Sequence, residues 1–149
     1  MQRRLRTYGK SGLLPIAESI NNMANPLTPQ LVTGTIGELL AQLRLLQYGV
    51  QAAPPLKDTG NDLIALRGWI IKCVQVKTTA GDTFNLNNLP EKYHFVLLVK
   101  LEGEGNSIFL DRTEIFLLTK EEIAKNTYSV RELTDKVLSQ DLIDRTFTE

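Results

Sequence analysis

Apolar residues recur at helical spacing from Thr35 onward, where Ile36, Leu39, Leu40 and Leu43 fall on one face, and Gly49 stands where such a helix would terminate. At 100° per residue Glu38 points away from that stripe, beside Ala41 and Leu45, so a second, partly apolar face carries a carboxylate. After Pro54 and Pro55 comes the turn-rich KDTGND, then DLIAL, a short gap at Arg67 and Gly68, and WIIKCVQVKTT. β-branched and aromatic residues on both sides of a Gly-containing gap predict a β-hairpin. Farther on, YHFVLLVKL and SIFLD flank GEGNS as a second predicted hairpin, and EIFLL is either another strand or the lead into a short helix. Thr119 with Glu122, and Ser129 with Glu132, have capping-box spacing, the second pair ahead of a C-terminal helix through VLSQDLI. Helix, mostly antiparallel strands, then helices: this order predicts an α+β fold with at least one helix packed on a sheet.

Composition narrows the class. A chain of 149 residues fits one ordinary domain with a real core. Residues 1–30 hold three arginines in the first six positions, then scattered Gly and Pro with no sustained period, and are read as a basic arm or flexible terminus ahead of a single domain at 31–149. No apolar run approaches the roughly 20 residues of a membrane span, and no secretory apolar segment follows the basic start. Cys73 and His94 are each the only residue of their type, which excludes an internal disulfide and His-rich zinc sites and leaves any metal to hard oxygen ligands. The protein is read as intracellular and cytoplasmic. Net charge is zero, yet residues 1–100 hold eleven Lys/Arg against six Asp/Glu, and residues 101–149 hold six against eleven. A basic region facing an acidic one can hold a phosphate backbone locally, although ordinary solvated faces give the same count.

Chemistry concentrates on the first hairpin. Side chains alternate along a strand, so Gln75 and Lys77 share a face with Trp69, Ile71 and Cys73. With Arg67 and Gly68 as a two-residue turn, Asp62 falls opposite Cys73 and diagonal to Gln75, on the same face. A three-residue turn would exchange the faces. A carboxylate and an amide oxygen at that separation suit Mg²⁺ (or Mn²⁺), with the Val76 carbonyl as a further donor. Lys77 would reach the attacking water and the charge of a phosphoryl transition state, and Glu38 would complete the site from the helix.

These residues resemble the PD-(D/E)XK, or restriction-endonuclease-like, nucleases. The likeness runs from GTIGELLAQLRLLQYG through DTGNDLIAL to CVQVKTT, about residues 34–79, and is nearest the bacterial QxK branch that includes small intron-encoded homing endonucleases. The resemblance implies a restriction-endonuclease-like core with a mixed, mostly antiparallel sheet flanked by helices, and a magnesium-dependent DNA endonuclease activity. It assigns Asp62 and Gln75 to the metal, Lys77 to catalysis and Glu38 to the accessory acid. Two positions depart from the common pattern: Asn61 stands where proline often precedes the Asp, and Gln75 replaces an acid, removing one negative charge from the metal site. Cutting both strands of a two-fold target implies a homodimer or larger symmetric assembly. Arg3, Arg4, Arg6, Lys72 and Lys92, with Lys77, are the candidate phosphate contacts.

Each candidate also has an ordinary explanation. Glu38 has capping-box spacing from Thr35, Asp62 and Asp58 are plausible turn acceptors, and Gln75 and Lys77 fit a solvated sheet face. Cys73 reads as a small buried apolar residue, and Trp69, Tyr93 and Phe95 as core. Two other functions fit the same chain: a nucleic-acid-binding module of this fold that does not cut, and an α+β interaction protein unrelated to DNA.

Overall fold

A computed structural model describes residues 26–104 and 107–148. It opens with helix α1 (Pro29–Gln47), whose N-cap Thr28 accepts a hydrogen bond from Leu31 N–H through its hydroxyl at 3.2 Å. Proline at the first helical position fits there, because its missing N–H has no helical partner to lose. The helix thus begins six residues before the expected start at Thr35, Pro29 and Gln30 belong to it rather than to the arm, and Thr35 and Glu38 lie mid-helix, where no capping box exists.

Among the described residues nine strands follow: β1 (Gln51–Ala53), β2 (Leu63–Arg67), β3 (Ile70–Thr79), β4 (Thr83–Asn85), β5 (Phe95–Lys100), β6 (Gly103–Glu104), β7 (Ser107–Ile108), β8 (Glu114–Thr119) and β9 (Thr127–Ser129). Five make one sheet in the order β1-β2-β3-β5-β8, antiparallel except for the parallel β3–β5 pair. β4 pairs with β9, and β6 with β7. The second expected hairpin is therefore corrected: only Ser107 and Ile108 of SIFLD form a strand, they pair with β6, and the antiparallel partner of β5 is EIFLL in β8. Both capping boxes exist, with Glu122 accepting from Thr119 N–H at 2.9 Å and Glu132 from Ser129 N–H at 2.8 Å, but each opens a 3-10 segment. The C-terminal helix α2 (Gln140–Thr146) starts from its own cap, Ser139.

Two cores flank the sheet. On one face Val74, Val76, Phe95, Leu97 and Leu117 meet Ala41 and Leu45 of α1, Ile143 of α2 and Phe147 at its C-cap. On the other Val96, Leu98, Phe116 and Leu118 meet Phe84, Tyr128 and Leu133. The buried residues of α1 are Gly37, Ala41 and Leu45; of the expected stripe Ile36 and Leu40 pack against the same core half-buried, while Leu39 and Leu43 are 59% and 49% exposed. Small residues win because they allow closer approach: a Cβ on Gly37 would lie 1.8 Å from Thr78 Oγ1, so only glycine lets α1 settle on β3 here. Glu38 follows directly and is half-buried.

Candidate functional site

The β2–β3 register sets the site. Arg67 pairs with Ile70 and Leu63 with Val74, so the two-residue turn is Gly68–Trp69, one position later than expected. Gly68 has φ +59°, which a hairpin turn with glycine at its first central position requires. The turn keeps its length, so the faces do not exchange, and continuing the register brings Asp62 opposite Gln75 rather than Cys73.

β3 then outruns β2. Among the described residues its ladder partner beyond Val74 is β5 alone, through Thr79, which leaves the other edge of Gln75–Thr79 open. Asp62 caps that edge: its N–H donates to the Val74 carbonyl at 3.1 Å, and its Oδ2 accepts from Val76 N–H at 2.7 Å. In an extended strand the N–H and C=O of one residue point the same way, so the Val76 carbonyl faces the same gap.

Gln75 is buried, and its amide nitrogen donates to the Gly60 carbonyl at 2.6 Å and to Asn61 Oδ1 at 3.2 Å. Both donor protons are engaged, so Oε1 is the free end of the amide, with no donor to it among the described residues. The two departures from the nuclease pattern are therefore coupled, since Asn61 supplies an acceptor to the amide that replaces an acid. Sequence reasoning missed this pairing. Its signal was present in a second amide residue beside Asp62.

The remaining members are drawn in by charge. Burial raises the Asp62 carboxyl above its ordinary range, Val76 N–H and Lys77 pull it down, and Asp58 pushes it up, leaving it raised. Burial also raises Glu38, and the charge of Asp62 adds to that rise. Asp62 is thus acted on by Lys77 and Asp58, and itself acts on Glu38. Asp58 accepts from Gly60 N–H at 2.9 Å, so it shapes the preceding turn while adding negative charge to the site. Lys77, Val76 and Thr78 line a cavity of about 410 Å³ against Pro29, Gln30, Thr33 and Gly34 of α1. Another cavity, of about 300 Å³, between α1 and the segment before β8 is lined by none of the candidate residues.

Among the described residues no three His, Cys, Asp or Glu are grouped to hold a metal. A cation here would rest on two carboxylates plus the Gln75 Oε1 and the Val76 carbonyl, an all-oxygen set of the kind Mg²⁺ prefers. Burial raises both carboxyls, and the charge of Asp62 adds to the rise at Glu38, an imbalance that a cation would relieve.

Of the candidate DNA contacts, Lys72 is half-buried on β3 and Lys92 is exposed in the loop before β5, while Arg3, Arg4 and Arg6 lie outside the described residues. Phe95 is core as expected and Tyr93 is half-buried under Lys120. Trp69, also expected in the core, is instead 95% exposed, because the shifted turn places it at the hairpin tip. Cys73 is half-buried rather than buried, and its N–H donates to His94 Nδ1 at 2.8 Å.

No family model matches the chain, and no curated protein matches it. Among solved structures, that titled as a bacterial homing endonuclease, I-Ssp6803I, aligns over 69% of this chain and 75% of its own length, with a TM-score of 0.52 and 18% identity. At that identity the shared property is the α+β fold. No helix among the described residues is long and apolar enough to cross a membrane.

Proposed function

We propose that this chain is a Mg²⁺-dependent (or Mn²⁺-dependent) DNA endonuclease of the PD-(D/E)XK type. The carrying observation is Asp62, fixed by Val76 N–H at the end of β3 that β2 leaves open, with Lys77 acting on its charge and Asp62 in turn on that of Glu38. The fold shared with a protein titled as a homing endonuclease supports the same reading. A divalent ion bound there supplies a polarised phosphoryl oxygen and an acidified water. Asp62, Glu38, the Gln75 Oε1 and the Val76 carbonyl hold it. Asp62 is fixed by Val76 N–H, and Gln75 is fixed by Gly60 and Asn61. Lys77 orients the nucleophile and offsets charge on the phosphate. Lys72 and Lys92, with Arg3, Arg4 and Arg6, contact phosphates away from the cut.

A symmetric homodimer or larger assembly accompanies this reading. Val32, Leu39, Leu43 and Leu46 are exposed on α1, whose only charged residues are Glu38 and Arg44, and a helix apolar on both faces ordinarily has a partner on each. The working compartment is the cytoplasm, where a lone half-buried thiol stays reduced.

Plasmid nicking with Mg²⁺, against EDTA and Lys77→Ala, tests the proposal. Cleavage by the wild type alone, and only with the metal, is expected. Gln75 at the acid position favours one rival, a module of this fold that binds DNA without cutting, and equal absence of cleavage in wild type and variant with DNA bound would establish it.

A further inference from the structure

Trp69 is the chain's only tryptophan, and it stands almost fully exposed at the Gly68–Trp69 turn. An indole buries some 150–250 Å² when covered, so a bare one is an unused contact of unusual size. Behind it the cross-strand pair Leu66 and Ile71 is 37% and 61% exposed. Arg67, at the base of the tip, is ion-paired with Asp144 of α2, which ties the hairpin to the body of the domain. Residues 63–79 contain no acid, and of their three cations Arg67 is engaged by Asp144, which leaves Lys72 and Lys77. That charge opposes pairing of the hairpin with a second copy of itself and matches a polyanion.

We propose that Trp69 is a DNA-base contact, its ring stacked on or wedged between bases of the substrate duplex, as exposed rings and apolar wedges do elsewhere. This rests on the DNA reading of the site, because the same two strands carry Asp62, Gln75 and Lys77 at their other end. Eight residues along β3 separate the ring from Lys77, about 26 Å at roughly 3.3 Å per residue. That span equals about eight base steps at roughly 3.4 Å each. Trp69 therefore acts on binding and choice of site, remote from the bond that breaks.

With one tryptophan in the chain, intrinsic fluorescence reads this position alone. In EDTA, titration with a duplex is expected to quench the emission saturably. Trp69→Ala is expected to weaken duplex affinity in a gel-shift assay about tenfold, and Trp69→Phe much less. In Mg²⁺, Trp69→Ala is expected to raise KM for cleavage by a similar factor, with a far smaller change in kcat. If the wild type binds duplex but its emission and the Trp69→Ala affinity are unchanged, the inference is overturned while the nuclease reading stands. If the wild type binds no duplex, both fall. A spectral shift that follows protein concentration without DNA overturns the inference in favour of a self-association face.

Discussion

β3 and β5 run side by side in parallel from Val74↔Phe95 to Thr79↔Lys100, yet they serve opposite ends. All six residues of β5 are buried, because it has a strand on each side and a core on each face. Among the described residues β3 has a strand on only one side beyond Val74, and in that stretch it carries Gln75, Lys77, Thr78 and Thr79. A strand enclosed on every side can supply only stability. One whose neighbour stops short has backbone and side-chain groups left over for chemistry.

The comparison breaks most directly at its buried member. Leu97→Ala in β5 is expected to cost about 2–5 kcal/mol in chemical denaturation, the range for emptying a fully buried leucine site. Lys77→Ala should do the reverse, lowering cleavage about 10²- to 10³-fold while leaving the denaturation midpoint near wild type. A large stability loss there would make Lys77 a structural residue.

Gly37→Ala lies between the two, since it forces α1 away from β3 and takes Glu38 with it. A loss of about 1–3 kcal/mol is expected, with a parallel loss of cleavage. In a double-mutant cycle Thr78→Ala should recover part of it by removing Oγ1, the nearest atom, and Cγ2, and strict additivity would show that the close approach is not what matters. Gln75→Glu is expected to lower stability by about 1 kcal/mol without raising cleavage, because a carboxylate would face the Gly60 carbonyl and the Asn61 side-chain oxygen. Increased cleavage would show that the missing charge outweighs the fixed amide.

The smallest effect is on pH dependence. Asp62 and Glu38 are raised above their ordinary 3.8 and 4.5, so each favours the metal-free fold most below those values, and that contribution is lost as pH rises through the raised ones. Asp62→Asn and Glu38→Gln should therefore gain on the wild type toward neutrality by a few degrees in Tm at most in EDTA, read by thermal scans from about pH 3 to 7. Curves that stay parallel across that range would mean the two acids are not strained.

Much of this was legible in the residues. Asp62, Gln75 and Lys77 came together because alternation is insensitive to a hairpin turn that slides without changing length. Glu38 is read beside Ala41 and Leu45, which the structure buries, while Leu39 and Leu43 of the apolar stripe are exposed, since periodicity weighs hydrophobicity and ignores how closely two backbones can approach. Thr28 followed by Pro29 was a visible helix start, passed over because no apolar period accompanies it. β5 pairs with β8 across the short β6–β7 hairpin, a long-range choice that no local turn signal encodes.

The open flank of Gln75–Thr79 also bears on handling the protein. A bare strand edge is a template on which another chain can add, and Asp62 on the Val76 N–H together with the ammonium of Lys77 is what guards it. Replacing those groups to silence the site removes the guard as well, so such variants should form aggregates or extra oligomers more readily than the parent when kept concentrated without nucleic acid.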